Sequence, residues 1–547
     1  MVIPAVVQER LQADKSGRCD DLYLGEMKMK SLKRMRFQGN TESIWKISLR
    51  MFLLLFIICV FSCSKPCSNA LEAVLEQAGK NRKELEKVLN CYSHNPADSL
   101  KLRAAEFLIA NMPGKYSKYY DAPWNDVATV HLRWTSSSNK QRVLDAYGLG
   151  EPVIREDVKH ITANYLINNI ELAFKVWRER PWGKHIPFDA FCEEILPYRV
   201  GVEPLENWRE KALASFADLD TILNKPETTS VEACRIVNRL LPRFKLDRDF
   251  PPMNFSQLMT SAKGPCDHMA TLAVFSMRAL GIPVTFELTP HWINMPSGHA
   301  WNTVRNSEGK HISFMGTDTN PNEPHQGLLF STCLKGKVYR KTFAMQQNIQ
   351  TEDINIPLLL KGNKNIKDVS AEYPRCRDTV TVCLKYPPVT PTGYVYLAFE
   401  QNSQLYPIAW AKDNGQACCF PSIGRNIIYF PVYYANNRQT PAGDPFLVDN
   451  GGTVIILSPD HPDTLLNLDK TDPDYDISEG DSYELFYWTK DGWTSRGKQT
   501  ATNSGSLQYR APLQALLYLE NLTLRKKGKI FFVTPDHKIH WYRYSSI

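Results

Sequence analysis

The sequence lacks the features that mark several large classes of protein. Its 13 cysteines include no CxxC pair and no metal-type cluster, which argues against a zinc site. Its longest apolar run, Met51–Phe61, is too short to span a bilayer as a stable helix. No internal repeat with a fixed period is visible. We therefore predict no bound metal and no cofactor, and we look for the chemistry in the protein side chains.

A basic region that would bind nucleic acid is also missing. The formal net charge is +7, but residues 1–62 hold ten Lys/Arg and six Asp/Glu and so account for +4 of it. The rest of the chain carries only the small remainder, spread over most of its length. This distribution gives no support for a nucleic-acid partner.

The N-terminal segment has the pattern of an export signal. The apolar run Met51–Phe61 follows Lys46 and Arg50 and has the length of a signal-peptide core. It ends in Val60-Phe61-Ser62-Cys63, which resembles a bacterial lipobox and implies acylation of Cys63. We expect an exported lipoprotein, periplasmic or at the cell surface, held on the membrane by its acyl chains. An ordinary signal peptide or a buried apolar helix is the alternative interpretation.

The remaining chain predicts an α+β fold in several parts. Leu71–Leu89 and Ala97–Met112 place apolar residues at helical spacing, whereas the sequence after Lys367 alternates short β-type segments with turn residues. The spacing of those segments indicates C-terminal β-sandwich domains. We predict five regions: a leader and signal peptide at 1–63, a helical region at 64–235, a catalytic core at 236–345, a β-sandwich at 346–466, and a C-terminal β segment at 467–547.

Two features of the β region allow more than one interpretation. Its cysteines, if oxidised after export, are the likeliest in the chain to form disulfides. Its aromatic residues could stack on sugars, although such residues more often form a sandwich core. The cysteines are Cys376, Cys383, Cys418 and Cys419, and the aromatics are Tyr394, Tyr396, Trp410, Tyr433, Trp488 and Trp493.

The strongest chemical signal is a cysteine at a predicted helix start. Gly264-Pro265-Cys266 precedes an apolar helical pattern that ends at Gly281-Ile282-Pro283. Cys266 then lies in the first turn, where unpaired backbone N–H groups favour a thiolate. The same N–H groups can stabilise the oxyanion that forms when a thiolate attacks an amide carbonyl.

A thiol enzyme also needs a base and a residue that orients it. His299 opens the strand-like stretch His299-Ala300-Trp301-Asn302, and the next strand candidate, His311–Met315, leads to Gly316-Thr317-Asp318. Two adjacent antiparallel strands would bring His299 and Asp318 together, and a helix packed on them would present Cys266. Trp292 and Trp301 are candidates to line the substrate cleft, with core packing as the alternative for at least one of them.

This order of motifs resembles the transglutaminase-like superfamily of papain-like cysteine enzymes. The resemblance rests on the cysteine at a helix start, Arg278–Val284 (RALGIPV) at its end, the HAW of 299–301 and a following aspartate. It implies that Cys266 is the nucleophile, His299 the acid and base, and Asp318 its orienter. Asn111–Gly114 and Ile195–Arg199 also resemble segments of multidomain bacterial lipoproteins that contain this domain.

The sequence therefore supports two hypotheses about function. The first is an enzyme that cleaves amide or peptide bonds through an acyl-enzyme, with hydrolysis favoured over cross-linking and a protein, peptide or glycopeptide as substrate. The second is a membrane-anchored binding protein, for glycans among other ligands, that uses the same fold as an inactive scaffold.

Overall fold

The computed structural model describes residues 65–542 with internal gaps. The chain divides into two units, residues 1–66 and 67–547, and nearly all described residues belong to the second. The leader, including Cys63, lies outside them. None of the helices in the described part is both long and apolar enough to cross a bilayer. The gaps are 124–126, 129–147, 149, 248–249, 296, 324–332, 347–356, 358–363, 403, 470–476 and 503.

The described part begins with helices, as the sequence predicts. The pattern over Leu71–Leu89 forms two helices rather than one, because Gly79 adopts a φ of 55° between them. The helices are α1 Lys65–Ala78, α2 Arg82–Ser93, α3 Ser99–Ala110, α4 Asp157–His160, α5 Ala163–Glu179, α6 Phe188–Glu194, α7 Trp208–Ser215, α8 Asp220–Leu223, α9 Ser230–Leu240, α10 Phe255–Ser261 and α11 Cys266–Ala279.

A five-stranded antiparallel sheet follows α11 in the chain. Its order is β7-β6-β5-β8-β9. The first strand after α11, β5, is therefore central, and β6 lies next to it. The fifth strand comes from beyond the predicted core boundary at residue 345. Two short pairs, β1 with β2 and β3 with β4, accompany the helices. The strands are β1 Tyr116–Tyr119, β2 Val153–Glu156, β3 Lys245–Leu246, β4 Lys263–Gly264, β5 Val284–Thr289, β6 His299–Arg305, β7 His311–Phe314, β8 Tyr339–Lys341 and β9 Ile366–Asp368.

The helices and this sheet share one hydrophobic core. Its buried members come from the helices α1–α11 and from one face of β5, β6 and β7. Alternation along β6 directs Ala300 and Val304 into this core, so His299 and Trp301 belong to the opposite face. Helix α11 lies almost wholly buried in the core, with His268 and Ala270–Ala279 buried. The fold therefore fixes the position of Cys266, the first residue of that helix.

The rest of the described chain is β structure, as predicted. A six-stranded sheet has the order β12-β11-β14-β16-β17 with β15 beside β14, and a five-stranded sheet has the order β20-β19-β22-β23-β24. Two further pairs are β10 with β13 and β18 with β21. The strands are β10 Asp378–Cys383, β11 Tyr394–Gln401, β12 Gln404–Lys412, β13 Ala417–Ile423, β14 Ile427–Ala435, β15 Arg438–Pro441, β16 Phe446–Val448, β17 Val454–Ile456, β18 Asp463–Asp469, β19 Ser482–Thr489, β20 Gly492–Thr500, β21 Ser506–Pro512, β22 Leu517–Asn521, β23 Lys526–Val533 and β24 Ile539–Trp541.

The aromatic residues proposed as a sugar platform pack inside this β structure. Alternate residues of β11 enter two different cores: Val395 and Leu397 pack toward β10 and β13, and Tyr394 and Tyr396 pack toward Trp488 of the five-stranded sheet. Tyr433 is buried, and Trp410 and Trp493 pack against the second core. Four of the six rings are therefore buried and two are partly buried, which favours the sandwich-core interpretation over a sugar platform.

The cysteines of the β region do not form the disulfides that the sequence suggested. Cys376, Cys383, Cys418 and Cys419 are free thiols. Cys418 is buried with its sulfur 3.1 Å from the Lys412 carbonyl oxygen, while Cys419 is exposed. Adjacent strand residues point to opposite faces, so these two thiols cannot form one site.

Candidate active site

The chain brings Cys266 to the start of α11 through a conformation that requires glycine. Gly264 has a φ of +145°, and a Cβ there would come within 2.5 Å of His268 Nδ1. Pro265 is the N-cap and provides no side-chain cap, so the first N–H groups of the helix remain available. The backbone N–H groups of Cys266 and Asp267 interact with the Cys266 sulfur. The prediction that Cys266 begins a helix is confirmed.

The strand that carries His299 contacts the same sulfur. The Ala300 backbone N–H donates to the Cys266 sulfur, and Cys266 packs against the small cluster that contains Trp301 and Met315. Three N–H groups therefore converge on one thiol from a helix start and a strand start. The structure thus brings Cys266 to the segment that begins with His299, as the sequence predicted.

The environment of the thiol changes one expectation about its protonation. The three N–H groups lower the pKa of the Cys266 thiol, but burial raises it by more and leaves it above its ordinary value. The prediction of a net shift toward thiolate is therefore wrong. A raised pKa favours the thiol, so a neighbouring base is needed to accept its proton during catalysis.

The imidazole of His299 lies beside two buried indoles, and the three rings form a nearly equilateral triangle. Its ring centre is 5.7 Å from Trp292 and 6.0 Å from Trp301, and the two indoles are 6.2 Å apart. Trp292 is 2% exposed and Trp301 is 1% exposed. Their burial favours the alternative of core packing beside the His299 ring, and their role in lining the substrate cleft stays a prediction.

A buried asparagine joins the three elements of the site. Asn302 is fully buried, and its amide donates to the carbonyl oxygens of Ala270 in α11 and Thr285 in β5 at 3.0 and 3.2 Å. Its side-chain oxygen accepts from the Gly316 N–H at 3.2 Å. The sequence analysis included Asn302 in the HAWN pattern without giving it a role. A buried amide with three bonds fixes the register of helix and strands.

Asp318, the third residue of the predicted triad, lies in the turn that follows β7. A φ of +66° at Thr317 turns the chain after β7, and Asn238 of α9 holds this turn by accepting from the Thr317 N–H at 2.8 Å. The Asp318 carboxylate is about half exposed and lies 3.4 Å from Arg243. Arg243 also donates to the Asp318 backbone carbonyl oxygen at 3.1 Å. The role of Asp318 as the orienting residue stays a prediction.

Trp301 is hydrogen-bonded to a polar network that the sequence analysis did not predict. The Trp301 indole N–H donates to the Tyr373 hydroxyl at 2.8 Å, and that hydroxyl donates to Glu287. Glu287 is fully buried and pairs with Arg340, whose Nε lies 2.8 Å from it. The negative charge of Glu287 and burial raise the pKa of Tyr373 well above its usual range. Tyr373 was missed because residue 373 was assigned to another domain.

Comparison with known proteins identifies this part of the chain. Residues 219–315 match the family model described as the transglutaminase-like superfamily, a range that includes Cys266 and His299 and ends before Asp318. The red sea bream transglutaminase crystal structure is similar over 76% of this chain and 75% of its own, with 9% identity and a TM-score of 0.18, a likeness too low to inform the site. No curated protein matches the chain. The chain therefore carries a domain of the transglutaminase-like superfamily.

Proposed function

We propose that the chain is a thiol enzyme that cleaves amide or peptide bonds, with Cys266 as the nucleophile and His299 as the acid and base. One observation carries the proposal: backbone N–H groups of a helix start and of the strand bearing His299 converge on the Cys266 sulfur. Such an arrangement suits a group that gains negative charge during a reaction. The match to the transglutaminase-like superfamily supports the same chemistry.

The proposed reaction proceeds in two halves. His299 accepts the Cys266 proton as the sulfur bonds to the carbonyl carbon, and the negative oxygen accepts hydrogen bonds from the helix-start N–H groups. The carbon–nitrogen bond then breaks, the imidazolium gives its proton to the leaving amine, and a thioester remains. In the second half, water attacks the thioester carbon while His299 accepts its proton, which releases the acid and restores the thiol.

We favour water over an amine as the acceptor. Water is the acceptor at highest concentration for an exported enzyme in dilute surroundings, whereas cross-linking needs a bound amine. We accordingly propose a peptidase or amidase that acts on a protein, peptide or glycopeptide. We also propose that acyl chains on Cys63 anchor the enzyme to a membrane surface, so that its substrates are periplasmic or at the cell surface.

The labelling rate of each cysteine by iodoacetamide tests this proposal. At pH 7.5 we expect Cys266 to react much faster than Cys192 and Cys234, because burial raises the pKa of Cys192 to about 12 and that of Cys234 well above its usual range. We expect His299→Ala to slow Cys266 by about tenfold or more, since the base is lost. Mass spectrometry of tryptic peptides gives the rate at each position.

Exposed Cys419 provides the internal control, because it reacts without the help of His299. The Cys266 rate should still be rising at pH 9, since burial holds the pKa of this thiol above its ordinary value. The enzyme proposal fails if the labelling rate of Cys266 is no higher than that of Cys192 and is the same in His299→Ala. The inactive binding scaffold would then be the better account of this domain.

A second test concerns the third member of the predicted triad. Asp318→Asn is expected to lower kcat/KM for peptide hydrolysis by less than about tenfold, because the carboxylate is half exposed and faces Arg243. Amine release from a casein peptide mixture, read with a fluorogenic amine reagent, measures the effect. Arg243→Gln is the matched control and should behave similarly. A loss of about a thousandfold or more for Asp318→Asn alone would restore the predicted triad.

A further inference from the structure

A cavity of about 240 Å³ lies between the helical region and the core sheet. Residues 114–116 and 197–202 form one wall, and residues of β5, β8 and the segment after β8 form the other. Four cationic side chains reach its lining, and no aspartate or glutamate does so among the described residues. The cations are Lys115, Arg199, Arg278 and Lys341.

Both arginines use their donors on the protein itself. Arg199 donates to the Asp157 carboxylate at 2.6 and 2.7 Å, so its charge is balanced. Arg278 donates to the carbonyl oxygens of Glu193, Glu194 and Val284, none of which is a charged group. These two residues give the cavity a rigid, positive wall.

The two lysines are held differently. Lys115 Nζ lies 4.3 Å from the centre of the Phe343 ring, and Lys341 Nζ lies 3.8 Å from that of Phe286. Within the described part of the chain, neither ammonium has a hydrogen bond or an ion pair. Burial lowers the pKa of Lys115 to about 8 and also lowers that of Lys341. Two partly buried ammonium groups that feel nearby carboxylates only through the electrostatic field, with no hydrogen-bond acceptor, are costly in a folded protein.

The nearby carboxylates are committed to other donors. Glu193 accepts from the backbone N–H groups of Phe343 and Ala344 at 2.6 and 3.1 Å, and Glu203 accepts from those of Val200 and Gly201 at 2.8 and 2.7 Å. Asp157 is paired with Arg199. Asp267 and Glu203 act on Lys341, and Glu193 and Asp157 act on Lys115, through the electrostatic field without a hydrogen bond. These four acids balance the four cations in formal charge, but none of them lines the cavity, so among the described residues the two ammonium groups have no hydrogen-bond acceptor there.

We propose that this cavity binds a small organic anion, a carboxylate, phosphate or sulfate group carried on a compact apolar body. Lys115 and Lys341 hold the charged group, and the rings of Phe286 and Phe343 pack against the apolar part. The volume suits a ligand smaller than most drug-sized molecules. The proposal is independent of the catalytic function, because it uses neither Cys266 nor His299.

Isothermal titration of the purified protein with sodium sulfate tests the site at constant ionic strength and pH 7. We expect saturable binding with one sulfate per chain, and tighter binding of benzenesulfonate if the apolar wall contributes. Lys115→Met and Lys341→Met should each weaken sulfate binding by about tenfold or more, the loss of one charged hydrogen bond. Lys310→Met is the control, since Lys310 is exposed and paired with Glu308.

The wild-type protein provides a second test that needs no variant to fold. Sulfate keeps its charge between pH 7 and 9.5, whereas Lys115 loses its proton above a pKa of about 8. Affinity should therefore fall by about tenfold or more over this range. No saturable binding, an affinity that is constant with pH, or equal affinities in Lys115→Met, Lys341→Met and Lys310→Met would overturn the proposal.

Discussion

Replacing Cys266 with alanine is expected to lower kcat/KM for amide hydrolysis by about 10⁴-fold or more, to the level of the uncatalysed reaction. The residue starts α11, and N–H groups from two elements face its sulfur, so no neighbouring thiol can take its place. Amine release from a casein peptide mixture, followed under single-turnover conditions, measures the loss. Cys419→Ala is the matched control and should keep full activity, because that thiol is exposed on β13.

If Cys266 and His299 act in one shared step, a double variant gives a stronger test of this prediction. Residues that act as one unit show non-additive losses, because removal of either partner already stops the shared step. Cys266→Ala combined with His299→Ala should therefore be no less active than Cys266→Ala alone. A double variant that loses the product of the two single effects would show that they act independently. Substantial activity in Cys266→Ala would place the chemistry elsewhere in the chain.

The parts of the fold that the sequence predicted best depend on local patterns. Gly281 ends α11 with a φ of 76°, and the alternation in Tyr394–Phe399 produces a strand that faces two cores. Cys266 and His299 were predicted because each belongs to such a local motif. The superfamily prediction is confirmed by the match over residues 219–315.

The parts that the sequence did not predict depend on contacts between distant residues. Burial of Cys266 sets the direction of its pKa shift, and no local motif reports how deeply a helix start is buried. The turn at Thr317, with a φ of +66°, and the contact of Asp318 with Arg243 of a distant segment were not predicted either, whereas the role of Asp318 in a triad stays a prediction. Tyr373 reaches Trp301 from 72 positions away, which no window of sequence can show.

Replacing Arg340 with methionine is expected to destabilise the catalytic sheet by about 3–5 kcal/mol, because it leaves Glu287 as a buried charge without its cation. Glu287 has no exposed surface, and Arg340 donates to it from Nε at 2.8 Å. Hydrogen exchange followed by mass spectrometry measures the change locally, in peptides that contain β5 and β6. Their amides should exchange about 10²–10³-fold faster, as expected for such a loss in local opening free energy.

Two control variants separate the buried charge from the loss of a side chain. Glu287→Leu combined with Arg340→Met removes both charges and should recover most of the protection, since an apolar pair of similar volume replaces the ion pair. Arg496→Met removes a partly exposed partner of Asp463 and should change exchange in β19 and β20 by less than about tenfold. Unchanged exchange in Arg340→Met would mean that Glu287 is not held as a charged group.

The same network should connect stability to catalysis. Glu287 accepts a hydrogen bond from Tyr373, and Tyr373 accepts one from Trp301. The Trp301 ring lies against His299, so the ion pair helps to hold the ring that contacts the imidazole. Tyr373→Phe keeps the ion pair but removes the hydrogen bonds of the hydroxyl to Trp301, Glu287 and Ser313. It should therefore lower kcat while it changes the protection of β5 amides from hydrogen exchange only slightly. A variant that loses protection without any change in kcat would confine the network to a structural role.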